Sequence, residues 1–195
     1  MDNHIQITVK PDWISWDEIK KCLYNAHAEN RSKGINMTHY LWSAKEIKNY
    51  LGKDGVMLVA LDGNKLIGTA AIATKEGKTW YAKGSYAYMC FACILPEYRG
   101  QGIYQEMLTK REELAITLGY QTLLMDTHSK NKIIQKVAKK NGYKKVRKFQ
   151  AKSKDHHSVI LVKWINGHSP SNLFCWWKYQ LSILRIIISS KLLHR

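Results

Sequence analysis

Apolar and polar positions alternate over HIQITV, residues 4–9, and that period of two predicts a first strand. The spacing then changes. In WDEIKKCLYNAHAEN (16–30), Ile19, Cys22, Leu23 and Ala26 recur at intervals of three and four, the stripe of an amphipathic helix. RSKGINMTHY (31–40) has no period and reads as a loop. Ser43 and Glu46 stand at the spacing of a capping box, which predicts a second helix running to Leu51. VMLVAL (56–61) and KLIGTAAIAT (65–74) flank DGN and read as a β-hairpin. KEGKTWYAKG (75–84) reads as a connecting loop. SYAYMCFACIL (85–95) reads as a long strand, apolar enough to be buried on both faces.

The second half repeats the alternation of periods. From Arg99 to Leu118 a helical period returns, with Met107, Leu108, Leu114, Ala115 and Leu118 on one face and Gly119 as a left-handed stop. QTLLMD (121–126) is a short buried strand, and 131–140 is a helix closed by Asn141-Gly142. YKKVRKFQAK and SVILVKWI are two more strands, joined by SKDHHS. The order β-α-α-β-β-β-α-β-α-β-β is that of a mixed α/β domain without internal repeats, over residues 1–165. Residues 166–195 differ. NGHSPS is a linker of turn formers, and the remainder reads as a helix capped by Ser169 or Ser171. Lys178, Ser182, Arg185 and Ser189 form one narrow polar stripe on an otherwise apolar amphipathic surface. Its charges interrupt it too often for a bilayer span.

Composition narrows the class. An apolar share of 45% and a charged share of 24% describe a globular chain, and 195 residues suffice for a core without staples. Four cysteines do not make a disulfide framework, and MDNHIQITVK lacks a basic start followed by an apolar run, so a reducing cytoplasm is the expected setting. The net charge of +16 is concentrated: from Lys130 to Lys154 there are eleven basic residues and no acid. Such a field attracts anions, whether nucleic acid, an anionic membrane or a phosphorylated small molecule, unless it is only a solvated lysine-rich surface.

The candidate chemistry lies in YRGQGIYQEM, at the join of a strand and a helix. A helix N-terminus offers N–H groups and a partial positive charge, and glycines there let a phosphate approach the backbone. Arg99, Gly100, Gln101, Gly102, Ile103, Tyr104 and Gln105 therefore read as a pyrophosphate cradle. No Lys-Ser/Thr follows, so the stretch is not a P-loop, and G-x-G-x-x-G is not completed, so it is not a dinucleotide fingerprint. Cys90-x-x-Cys93 lies on a strand, where residues three apart face opposite sides, and no second pair accompanies it, so no metal is expected. His156-His157 reads as a solvated turn, and Tyr86, Tyr88 and Phe91 as core.

I-L-P-E-Y-R-G-Q-G-I resembles the acetyl-CoA loop of the GNAT superfamily of acetyltransferases, whose signature is Arg or Gln, two residues, Gly, one residue, then Gly or Ala. SKNKIIQKVAKKNGYKKV is similar to the family's Asn-bearing helix. The resemblance covers roughly residues 4–165. It implies a GNAT-like fold, with a central, mostly antiparallel mixed sheet flanked by helices and, here, a C-terminal amphipathic helix. In that family the strand before the loop and the next strand splay apart around acetyl-CoA. By carry-over, the backbone of Ala92, Cys93 and Ile94 pairs with the pantetheine as an added strand. Residues 100–105 hold the pyrophosphate, Asn131 contacts or adjoins the pantetheine arm, and lysines 132, 136, 139 and 140 attract the nucleotide's phosphates.

Two departures stand out. Tyr104 occupies a Gly or Ala position, where its side chain can turn away and leave its N–H in use. Ala138 replaces the tyrosine that often protonates the departing thiolate, leaving Tyr143 as a weak substitute. For a general base His128 is the candidate by pKa, with His39 and Tyr40 in the early loop as further acceptor-pocket candidates. The expected activity is direct transfer of an acetyl group to an amine in a ternary complex. A softer resemblance to acetyltransferases of bacterial surface-polysaccharide pathways points to an amino sugar. The alternative is a catalytically silent GNAT-fold module that binds nucleic acid or anionic membrane through its basic patch; for the enzyme reading, nucleic acid is not an expected partner. The helix in 171–195 is expected to dock on its own sheet, on a second subunit in a homodimer, or on the inner face of the membrane.

Overall fold

The computed structural model describes residues 5–34, 41–150, 157–165 and 169–192. His39, Tyr40 and His156 lie outside the described residues. In chain order the elements are β1 (Ile5–Val9), α1 (Trp16–Ala26), α2 (Ala28–Ser32), α3 (Ala44–Leu51), β2 (Val56–Asp62), β3 (Lys65–Lys78), β4 (Lys83–Ile94), a 3-10 turn (Pro96–Tyr98), α4 (Ile103–Thr117), β5 (Thr122–His128), α5 (Lys132–Lys140), β6 (Lys144–Gln150), β7 (His157–Trp164) and α6 (Asn172–Leu192). This is the mixed α/β fold that the alternation of periods implied. The chain forms two compact units, residues 1–75 with 87–119, and 76–86 with 120–195.

In the first unit the strands lie in the order β1-β2-β3-β4. β1 and β3 both run antiparallel to β2, with Ile7 opposite Ala60 and Ala60 opposite Gly68. The alternation within β2 explains the two apolar layers. Met57, Val59 and Leu61 face Ile19, Cys22 and Leu23 of α1 and Ile47 and Leu51 of α3. Leu58 and Ala60 face the opposite layer, with Ile103 and Met107 of α4. α1 and α3 each begin with a complete capping box, Ser15 with Glu18 and Ser43 with Glu46. The helix expected over 16–30 is broken at His27, where the C-cap of α1 becomes the N-cap of α2.

In the second unit β7 lies between β5 and β6, antiparallel to both. α5 begins at Asn131, whose side chain accepts a hydrogen bond from the Ile134 N–H at 3.2 Å. α6 begins at Ser171, whose Oγ accepts from the Phe174 N–H at 3.1 Å. It then runs along the outer strand β6, where the Lys148 N–H donates to Ser182 Oγ at 2.8 Å. That contact satisfies a backbone group of an edge strand and covers the edge.

Two expectations need correction. The stretch 75–84 is not an open loop: β3 continues to Lys78 and β4 starts at Lys83, so only residues 79–82 turn, closed by the Thr79 N–H donating to the Ala82 carbonyl at 3.0 Å. β4 is also not uniformly buried. Ala87 and Met89 are buried, whereas Tyr86, Tyr88 and Cys90 between them are half-exposed. Aromatic rings with hydroxyls suit such a face, because one end stays in contact with water.

Candidate active site

β4 is built to change direction near its end. Phe91 has φ +50°, the only non-glycine residue with positive φ among the described residues. Tyr88 and Cys90, then Phe91 and Cys93, all border the same apolar layer, so the side-chain parity shifts between 90 and 91. This is the effect of an extra residue in a strand. It also corrects the expectation that Cys90 and Cys93 face opposite sides. The sulfur next to Cys93 is that of Cys22 on α1, at 4.0 Å. Hydrogen bonding to Cys93 and burial both push the Cys22 thiol up and keep it protonated.

Two β3 residues hold the kink. Thr69 is fully buried, and its hydroxyl donates to the Phe91 carbonyl at 2.7 Å. Gly68 lies so close to β4 that a Cβ there would stand 2.8 Å from the Cys93 carbonyl oxygen and 2.5 Å from Ile94 Cδ1. Neither residue was expected from sequence. The isolated glycine inside KLIGTAAIAT was the available signal, since glycine within a strand often marks close backbone approach.

The loop after β4 is pinned at three points. The Leu95 N–H donates to the Ile67 carbonyl at 2.9 Å. Tyr98 Oη donates to Asp62 Oδ2 at 2.8 Å, tying the 3-10 turn to the β2–β3 hairpin. The Arg99 guanidinium donates to the Ile94 carbonyl at 3.2 Å, to the Ala26 carbonyl at the end of α1, and to Glu29 Oε2 at 3.2 Å. Arg99 thus braces the loop through its side chain.

α4 therefore starts four residues later than the sequence period indicated. Gly100 and Gly102 both have φ +80°, and Gly102 is the N-cap. A side chain at φ of this sign is strained, so glycine is required by conformation. No side chain caps this N-terminus, in contrast to those of α1, α3, α5 and α6. A Cβ at either glycine would meet no atom within 4 Å, so open space lies in front of the loop. Tyr104, at the position that departs from the Gly/Ala pattern, packs its side chain against Ile103, Met107 and their apolar layer. Its side chain consequently does not fill the cradle. Uncapped N–H groups, two left-handed glycines and adjoining open space fit a diphosphate.

The other expected residues belong to the second unit. His128 ends β5 and is buried; its Nδ1 accepts from the Lys130 N–H at 3.1 Å, so the neutral ring carries its own proton on Nε2. Asn131 uses its side-chain oxygen to cap α5. Gln135 donates to the Ser129 carbonyl at 2.9 Å, fixing the turn between β5 and α5. Tyr143 is buried, with Lys163 Nζ 5.9 Å from its ring centre.

A kinked strand running into a glycine-bearing helix start, within this order of elements, defines the class of acyl-CoA N-acyltransferases. The family model described as "Acetyltransferase (GNAT) family" matches residues 16–143. The chain belongs to the GNAT acetyltransferases, an acetyl-CoA-dependent N-acetyltransferase family. Solved structures agree in fold. The ribosomal-protein-S18-alanine N-acetyltransferase of Escherichia coli is similar with a TM-score of 0.62 at 14% identity, over 86% of this chain and 99% of that one. NAA60 of Arabidopsis thaliana, solved with a bisubstrate analogue, gives 0.62 at 17% identity, over 83% and 99%. An acetyltransferase of Streptococcus agalactiae gives 0.63 at 16% identity, over 85% and 100%. Among proteins of curated function, none matches the sequence.

Proposed function

We propose that the chain transfers the acetyl group of acetyl-CoA directly to the amine of a small-molecule acceptor, an amino sugar, in the cytoplasm. Residues 1–165 form the catalytic domain, and 166–195 are an appendage to it. The observation that carries the reading is the uncapped start of α4, where Gly100 and Gly102 hold left-handed conformations before open space. The N–H groups of residues 100–105 receive the diphosphate, and the backbone of Ala92, Cys93 and Ile94 beyond the kink receives the pantetheine. Acetyl-CoA supplies an activated thioester; the chain's task is to hold it and to present an uncharged amine. His128 accepts the amine's proton on Nδ1, the ring's basic lone pair, which the Lys130 N–H gives up as the proton arrives. Tyr143 serves as donor to the leaving thiolate, and Asn131 contacts or adjoins the pantetheine arm.

The test is turnover with acetyl-CoA across a panel of amino sugars, free and nucleotide-linked, read as free thiol and by product mass. Loss of a general base costs on the order of a hundredfold or more in kcat. His128→Gln is expected to show that loss with KM for acetyl-CoA unchanged. Full activity of His128→Gln contradicts its role, and acetylation of peptides but of no sugar contradicts the acceptor class.

A further inference from the structure

α6 carries large apolar side chains on its outer side as well as on its inner one. Cys175, Tyr179, Ser182, Ile183 and Ile186 recur at intervals of three and four and are buried or half-buried, with Ser182 bonded to the β6 backbone. Leu173, Trp176, Trp177, Leu184, Ile187 and Ile188 recur at the same helical spacing on the outer side and are exposed, Trp176 at 58% and Leu173 at 73%. The polar stripe read from the sequence thus places Ser182 against the protein and leaves large apolar side chains outside. A second element joins this surface. Trp80, at the turn between β3 and β4, is 40% exposed and meets Phe174 edge-on with ring centres 5.2 Å apart. Lys178 Nζ lies 4.9 Å from the Trp177 ring and 5.4 Å from the Phe174 ring. Lys78 and Lys83, both exposed, flank the turn that carries Trp80.

The charge of the same unit indicates what covers this face. Residues 76–86 and 120–195 contain 18 of the 31 Lys and Arg and 3 of the 15 acids, so 18 less 3 leaves +15 of the chain's +16. Lysines 132, 136, 139 and 140 of α5 are exposed, as are Lys145 and Arg147 of β6. The pKa of Lys145 is lowered, chiefly by the partial burial of its ammonium and then by repulsion from Lys132 and Lys139. A second copy packed on this face would bring two such fields together. An anionic bilayer would neutralise them while accepting the tryptophans at its interface.

We infer that α6 and the Trp80 turn together form a docking surface for an anionic lipid bilayer, with Trp80, Leu173, Trp176, Trp177, Ile187 and Ile188 inserted at the interface. Among the described residues no helix is long and apolar enough to cross a membrane, so the contact is peripheral. The inference goes beyond the transferase reading and does not depend on it.

Flotation of the full chain with vesicles tests it, using phosphatidylcholine alone and phosphatidylcholine mixed with phosphatidylglycerol. Binding to the mixed vesicles only is expected. It should fall when salt is raised from about 0.1 M to about 1 M, which shortens the Debye length from roughly 10 Å to roughly 3 Å. The triple variant Leu173→Gln, Trp176→Gln, Ile188→Gln touches only exposed side chains. It is expected to bind on the order of a hundredfold more weakly, because three large apolar side chains no longer leave water at the interface. Lys78→Glu with Lys83→Glu leaves α6 untouched and is expected to weaken binding about tenfold or more. Unchanged circular dichroism and an unchanged thermal unfolding midpoint identify variants that remain folded. Absence of vesicle binding, equal binding to neutral vesicles, or a wild-type dimer that the triple variant dissolves would each overturn the inference.

Discussion

Gly68→Ala tests the link between β3 and the kinked end of β4. The new methyl would stand 2.5 Å from Ile94 Cδ1, 2.8 Å from the Cys93 carbonyl oxygen and 3.5 Å from Ala60 Cβ. Ile94 can turn its terminal methyl away, but the Cys93 carbonyl belongs to the backbone and moves only with the strand. Overpacking of this kind costs ~1–3 kcal/mol. Gly68 has no positive φ, so alanine also restricts the unfolded chain and returns about 0.4–1 kcal/mol. The net expectation is a loss of about 1–2 kcal/mol, or a fall in Tm of roughly 2–8 °C for a domain of this size. The functional effect should be sharper than the thermal one, because the displaced carbonyl lies within 92–94. Thermal unfolding and calorimetric titration with acetyl-CoA on the same samples measure both. A variant as stable as wild type with unaltered affinity would refute the reasoning, since it would mean that β3 and β4 do not hold each other at this point.

Two further perturbations probe the supports of the same unit. Thr69→Val removes the hydroxyl that donates to the buried Phe91 carbonyl and should cost ~1–3 kcal/mol, read as a lower denaturant midpoint at unchanged slope. Glu18 and Glu46 have carboxyls held below the usual range, chiefly by the backbone N–H of Ser15 and Ser43 and then by the serine hydroxyls. A pKa depressed in the folded state gives stability that is present above the unfolded value and lost as pH falls through the folded one. Stability followed by chemical denaturation should therefore decline below about pH 4.5, and Glu18→Gln with Glu46→Gln should flatten part of that decline; an identical pH profile would show that the capping boxes contribute nothing to it.

What the sequence displayed was local. Ser43 and Glu46 announced a capping box because both partners lie within one helical turn, and the box is present. The glycines of YRGQG announced a loop for the same reason, and both adopt positive φ. The start of α4 lies at Ile103 and not at Arg99 because Gly100 and Gly102 take positive φ, which no apolar period reports. The kink at Phe91 had no local signature in CFACI. It depends on Thr69 and Gly68, more than twenty residues earlier, and such long-range partners are invisible to periodicity. α6 was legible as a helix but not as to which side faces inward. Both of its sides carry apolar residues, so periodicity does not distinguish them, and the inner side is marked by buried Cys175 and by Ser182 meeting an edge-strand amide. Arg99 was legible as important, while its partners at Ala26, Glu29 and Ile94 became evident only with the ends of α1 and β4 in place.

The central claim is that acetyl-CoA is held by the start of α4. The most direct measurement is calorimetric titration of acetyl-CoA into the wild-type chain, Gly102→Val and Gly119→Val. The two glycines have nearly the same conformation, φ +80° and +83°, and a side chain at either would meet open space. The backbone strain is therefore matched, and only Gly102 faces the proposed diphosphate. The account predicts saturable binding to wild type and to Gly119→Val, and its loss in Gly102→Val. Equal affinity for all three proteins, or no binding to any of them, would contradict it.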